Sequence, residues 1–75
     1  MEDRLVEYIA KNLVDDPEQV MVRRKETGSS VIVHLHVASN DMGRVIGKNG
    51  RVANAIRALL RAQADHDKRV ILEID

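Results

Sequence analysis

The feature that most constrains this chain is the run Gly43-Arg44-Val45-Ile46-Gly47-Lys48-Asn49-Gly50-Arg51. It joins a short apolar segment to an alanine-rich one through two closely spaced glycines with a basic residue between them. Glycine turns the backbone without Cβ clashes, so such a loop can leave N–H groups bare at the start of the helix that follows. The helix macrodipole favours an anion at that end, and Lys48 adds a full positive charge. The spacing therefore predicts a loop that faces phosphate. The alternative is a glycine-capped connection between two helices with no ligand.

A chain of 75 residues predicts a single domain, residues 1–75, which on folding buries only about 60% of the surface its unfolded chain exposes. There is no Cys, so neither a disulfide framework nor a thiolate metal site is expected, which suits a reducing cytoplasm. No apolar run approaches the roughly 20 residues of a membrane-spanning helix, and no membrane association is expected. Net charge is zero, yet its distribution is uneven. Residues 1–20 set Arg4 and Lys11 against Glu2, Asp3, Glu7, Asp15, Asp16 and Glu18, a net −4. Residues 44–69 set Arg44, Lys48, Arg51, Arg57, Arg61, Lys68 and Arg69 against Asp65 and Asp67, a net +5. A neutral chain can thus present a basic face around the glycine loop, although charges on exposed helix positions also serve solubility alone.

Hydrophobic periodicity sets the elements. Leu5, Val6, Ile9, Ala10 and Leu13 share one face of a helix over Glu2–Val14, with Tyr8 expected to pack and Asp16-Pro17 expected to stop the helix. Val20–Lys25 and Val31–Val37 read as strands joined through Glu26-Thr27-Gly28-Ser29-Ser30. In the second, Val31, Val33, Leu35 and Val37 alternate with Ile32, His34 and His36. The two histidines are better read as solvated strand residues than as a metal pair, because no third ligand lies near them in sequence. Ser39-Asn40-Asp41 predicts helix-capping side chains before a short helix, Met42–Ile46. A break at Gly47–Gly50 precedes a longer helix, Arg51 to about Ala64, with Arg57 and Arg61 expected on its outer face. Asp65–Lys68 reads as a loop, and Val70, Leu72 and Ile74 alternate with Ile71 and Glu73 in a last strand.

The order helix-strand-strand-helix-helix-strand implies a hairpin plus a crossover. A crossover strand lies parallel to its neighbour, so the fold class is α+β: a three-stranded mixed sheet with helices packed on one face. This order, with Asp16-Pro17 and the run from Gly43 to Arg51, resembles a type II KH domain of the small bacterial KhpA (YlqC-like) family. The resemblance spans nearly the whole chain. It implies a non-catalytic RNA-binding protein and RNA chaperone of the cytoplasm. It also implies action with a second, larger KH protein, KhpB (also called Jag or EloR), in post-transcriptional control and in cell elongation, division and shape. No cofactor is implied.

Other chemistries fit the residues less well. A P-loop needs four residues between its glycines and Ser or Thr after its Lys, whereas here three residues separate Gly43 from Gly47 and Asn49 follows Lys48. A membrane GxxxG contact is excluded by Arg44 and Lys48. Ser29, Ser30 and Ser39 are explained by turns and caps, so no nucleophile stands out. A KH-fold dimerisation or protein-interaction module, with incidental binding of RNA or single-stranded DNA, remains the alternative.

For single-stranded RNA, the reading assigns close backbone approach to Gly47 and Gly50. Lys48 and the N–H groups of Asn49 to Arg51 are expected to hold phosphates, Arg44 and Arg51 to form the basic rim, and Val45 and Val52 to floor a groove whose far wall is the middle strand near Val33–Val37. The apolar stripe of the last helix spans about 180°, where a helix lying on a sheet needs about 100°. With Ala53, Ile56 and Leu60 pointed into the core by the resemblance, Val52, Ala55, Leu59 and Ala62 form a second seam. That seam suits a weak homodimer, or a competing heterodimer with the second KH protein; the alternative is that this flank floors the RNA groove.

Overall fold

The computed structural model describes residues 2–63 and 67–75. In chain order they form α1 (Glu2–Leu13), a 3-10 turn (Pro17–Gln19), β1 (Met21–Glu26), β2 (Ser30–His36), a 3-10 turn (Ser39–Asp41), α2 (Met42–Ile46), a 3-10 turn (Lys48–Gly50), α3 (Arg51–Gln63) and β3 (Arg69–Ile74). The expected helix end at Ala64 and the loop residues Asp65 and His66 lie outside the described residues.

Helix α1 begins with Glu2 and Asp3 and carries Lys11 in its last turn, the charge order that the helix dipole favours. Val6 and Ala10 are fully buried. Tyr8 follows Val6 by two residues, about 200° around the helix, and is 70% exposed, so it is not the packing residue expected from the sequence. The chain leaves the helix after Leu13. Pro17, unable to donate, opens the 3-10 turn, and the Val20 N–H bonds to its carbonyl at 3.1 Å.

The sheet order is β1-β2-β3. Strand β1 pairs antiparallel with β2 from Met21 opposite His36 to Glu26 opposite Val31, and β3 pairs parallel with β2 from Arg69 opposite Ser30 to Ile74 opposite Leu35. The hairpin is tighter than the sequence predicts. Thr27 donates its N–H to the Ser30 carbonyl at 2.8 Å, and its Oγ1 accepts the Ser30 N–H at 3.0 Å, so the strands reach Glu26 and Ser30. Val31, Val33, Leu35 and Val37 are buried beneath the helices, together with Val6, Ala10, Val45, Ile56, Leu60 and Leu72. Strand β1 is largely exposed and carries Arg23, Arg24 and Lys25, charges that discourage edge-to-edge pairing.

Three polar ties fix the layers. Glu2, nearly buried, accepts from Arg24 Nε at 3.0 Å, Arg24 also reaches Glu26 at 2.9 Å, and Glu26 pairs with Lys68. Lys68 and then Arg24 hold the Glu26 carboxyl below the ordinary range. On the open sheet face, Asp75 bridges His34 at 3.0 Å and His36 at 3.3 Å. The third tie is Asp41. Its fully buried carboxylate does not cap a helix as expected; instead it accepts the N–H groups of Asp15 at 3.0 Å and Asp16 at 3.1 Å. These two donors follow α1, where the chain turns toward Pro17 and has no helical acceptor to offer them. The carboxylate thereby joins the end of α1 to the start of α2. Asp41→Ala is expected to lower stability by about 2–3 kcal/mol, because a charged acceptor is lost and two amides are stranded. Asp41→Asn, which keeps one amide oxygen, should lose less. Urea denaturation of the three proteins checks this.

Candidate nucleic-acid interface

Helix α2 ends because Gly47 leaves the helical region at φ 77°, ψ 171°, after its N–H has bonded to the Gly43 carbonyl at 2.9 Å. Lys48, Asn49 and Gly50 then make one tight turn, with Asn49 at φ 58°, ψ 26° and Gly50 at φ 76°. Three of the four residues from Gly47 to Gly50 therefore have positive φ, in glycine or in asparagine, one of the side chains best suited to it. The glycines differ in what they require. A Cβ on Gly47 would lie 2.6 Å from Val52 Cγ2 and 2.9 Å from the Val52 nitrogen, whereas on Gly50 the nearest atom would be Asn54 Nδ2 at 3.8 Å. Gly47 is needed for space and for conformation, Gly50 for conformation alone.

The turn redistributes the expected phosphate donors. The Gly50 N–H bonds to the Gly47 carbonyl at 3.1 Å and the Arg51 N–H to the Lys48 carbonyl, so these two amides are used within the loop. Among the described residues the Lys48 and Asn49 N–H groups have no backbone or side-chain partner. The side chains sort similarly. Lys48 and Arg51 are exposed and, among the described residues, pair with no carboxylate. Arg44 is exposed too, but unlike them it pairs with carboxylates, Asp15 at 3.0 Å and Asp41 at 3.5 Å. Val45 has no exposed surface and so cannot floor a groove; it is the residue that roots α2 in the core. Val52 is partly buried and stands directly beneath Gly47.

The expected far wall is corrected as well. β2 is the central strand, its backbone is paired on both sides, and Val33, Leu35 and Val37 are buried. The free edge beside α3 belongs to β3, against which that helix packs. The Arg69 and Asp75 amides bond toward β2, to Ser29 and Leu35, so the alternate residues Val70, Leu72 and Ile74 turn their N–H and C=O groups to the open edge. Two residues not assigned to the site from sequence lie there. Arg57 donates from Nη1 to Asn54 Oδ1 at 3.0 Å and from Nη2 to the Leu72 carbonyl at 3.4 Å. Arg57 is thus not on the outer face with Arg61. The available signal was angular, since Arg57 lies about 40° from Ala53, at the border of the core stripe.

The seam on α3 divides. Ala53, Ile56 and Leu60 are buried, while Ala55 and Ala62 are exposed and Leu59 is 49% exposed. Val52 is engaged with the loop, which leaves Ala55, Leu59 and Ala62 as the uncovered part. Among the described residues no group of three or more side chains is disposed to hold a metal ion, and no helix is long and apolar enough to cross a membrane.

Element order, mixed sheet and Gly47–Gly50 turn together define a type II KH domain. The family model described as KhpA/KhpB, KH domain matches residues 3–74. The chain is 50% identical to the RNA-binding protein KhpA of Clostridium acetobutylicum over 72 residues, covering 95% of this chain and 96% of that one. It is 54% identical to the RNA-binding protein KhpA of Caldanaerobacter subterraneus subsp. tengcongensis over 71 residues, covering 93% and 95%, and 48% identical to that of Treponema pallidum over 75 residues, covering 99% and 94%. No solved structure gives a significant match. The chain belongs to the KhpA/KhpB family of KH domains.

The two glycines yield a graded expectation. Gly47→Ala combines a left-handed backbone with a clash against Val52 and should cost about 2–4 kcal/mol, whereas Gly50→Ala carries only the conformational penalty of about 1 kcal/mol. Thermal melts of the two variants should rank them in that order.

Proposed function

We propose that this protein is a non-catalytic RNA-binding module that holds single-stranded RNA across the Gly47–Gly50 turn. The observation that carries the reading is the pairing of two amides, Lys48 and Asn49, with two cations, Lys48 and Arg51, all without a partner among the described residues, at the N-terminus of the 13-residue helix α3. Such a site suits phosphate oxygens, and the close packing of Gly47 on Val52 keeps side-chain bulk out of the strand's path. The bases would lie between α3 and the free edge of β3, where the Val70, Leu72 and Ile74 backbone groups point outward. The names of the relatives, RNA-binding protein KhpA, support the same ligand. Phosphate contacts supply affinity with little sequence information, so binding is weak and tolerant, as suits an RNA chaperone in the cytoplasm.

Replacing Lys48 and Asn49 together by Asp puts two carboxylates where phosphates are held. RNA affinity should fall steeply while circular dichroism and melting temperature hardly change, because both side chains are exposed. Undiminished binding by this variant would refute the loop assignment. With about three to five phosphates neutralised, log affinity should fall against log salt with a slope of about −2 to −3.5.

The exposed Leu59, flanked by Ala55 and Ala62, favours a second role for α3 as a contact between two KH domains. The partner would be a second copy, or a KhpB-like protein competing for the same seam. Sedimentation of wild type beside Leu59→Asp over a concentration series should show a weak homodimer that the variant loses. A wild type that stays monomeric throughout would dispose of the seam.

A further inference from the structure

From the Arg57 contacts we propose that this residue makes the groove selective for cytosine, an inference that rests on the RNA-binding reading above and specifies its base site. The Leu72 carbonyl belongs to the unpaired edge of β3, and it receives Arg57 Nη2 at 3.4 Å. Arg57 Nη1 is held by Asn54 Oδ1 at 3.0 Å. Asn54 in turn borders the loop, since a Cβ on Gly50 would lie 3.8 Å from its Nδ2. One polar track therefore runs from the glycine turn, through Asn54 and Arg57, to the edge of the sheet.

That track has a definite hydrogen-bonding signature. A guanidinium carries five N–H groups, of which two are used here among the described residues, and a carbonyl oxygen with two lone pairs can accept a second bond. The vacant groups are neighbouring donors on Arg57 beside one acceptor on Leu72. A base that fills them must offer two adjacent acceptors and, next to these on the same edge, a donor. Cytosine offers this, with O2 and N3 as acceptors and the N4 amino group as donor. Uracil places its N3–H between two carbonyls, so it can give the guanidinium one acceptor beside a donor for Leu72, but never two adjacent acceptors. Adenine has a single ring nitrogen beside its amino group on either edge. Guanine supplies the acceptor pair O6 and N7, as arginine reads it in duplex DNA, but its N1–H lies around the corner on another edge and does not face the carbonyl. Cytosine alone fills two Arg57 donors together with the Leu72 carbonyl from one edge without breaking the existing contacts, and the Asn54 bond orients the guanidinium.

The test is fluorescence anisotropy with short labelled oligocytidylate, oligouridylate and oligoadenylate strands of one length, in slightly alkaline low-salt buffer. Wild type should bind the cytosine strand about tenfold more tightly than the other two, the discrimination of one bidentate arginine contact. Arg57→Lys keeps the charge but lacks the planar fork, so it should bind all three strands within about twofold of one another at an unchanged salt slope. Arg57→Ala should also lose the preference, with circular dichroism reporting its folding. The Asp double variant at Lys48 and Asn49 should weaken all three strands alike. A wild type that binds RNA without favouring cytosine, or an Arg57→Lys protein that keeps the preference, overturns this inference and leaves the RNA-binding reading standing. A wild type that binds none of the strands overturns both.

Discussion

The close approach of Gly47 to Val52 is the contact on which the rest of the interface depends. With only a hydrogen where another residue would put Cβ, the loop lies flat on the first turn of α3, against the Val52 methyl and backbone nitrogen. A chain so confined cannot continue helically, and the next residues turn through left-handed conformations at Asn49 and Gly50. The turn consumes the Gly50 and Arg51 amides and directs the Lys48 and Asn49 amides elsewhere. Beneath it, Val45 anchors α2 in the core, so the loop has a rigid floor on both sides of the break. Donors held in this way would lose less entropy on binding a ligand than donors on an unsupported loop.

Electrostatics follows from the same arrangement. A chain with no net charge becomes locally basic because its paired carboxylates engage only some of its cations. Asp15 and Asp41 take Arg44, Glu2 and Glu26 take Arg24, and Glu26 also takes Lys68. Lys48 and Arg51, on the far side of the glycine break, lie beyond the reach of these carboxylates. Asp41 has a double part here, since the carboxylate that fixes the end of α1 also helps turn Arg44 away from the loop. Neutral overall charge and a basic lip are thus compatible, because pairing is decided by topology and not by composition.

The fold was legible because its elements are separated by period. Alternation in Val31–Val37 and the apolar face of α1 are local patterns, and the crossover rule then fixes β3 parallel to β2. The glycine loop was legible for the same reason, since its backbone requirement shows in residue type. What escaped depends on distant partners. Asp41 has the composition of a cap, and only the fold brings Asp15 and Asp16 to it. Val45 and Val52 look alike in sequence, yet the first is inside the core and the second under the loop. Arg44 is, by sequence, one more cation near a basic motif, and only the fold sets it beside Asp15. That both edges of the middle strand are paired follows from strand order and not from its own residues. Arg57 needed both its angular position on α3 and the exposed edge of β3, and the latter is a property of strand order.

Helix α3 carries several of these duties on different faces, which follow from a turn of about 100° per residue. The buried residues Ile56, Leu60 and Ala53 form the core part of the apolar stripe, with Val52 beneath the loop at one border of that part. Arg57 and Asn54 continue past Ala53 at the other border, on the side of the free edge of β3. Ala62, Ala55 and Leu59 lie beyond Val52, on the opposite flank of the core stripe. A seam centred on Leu59 therefore stands nearly across the helix from Arg57, too far around to be the floor of the same groove. The surplus width of the apolar stripe then needs another explanation than contact with bases. It also means that a partner covering Leu59 would leave the Arg57 side open, so pairing of two KH domains and binding of a strand by each need not compete. Two such domains joined through α3 would present two basic turns on one particle, and weak binding at each would be reinforced when one RNA spans both.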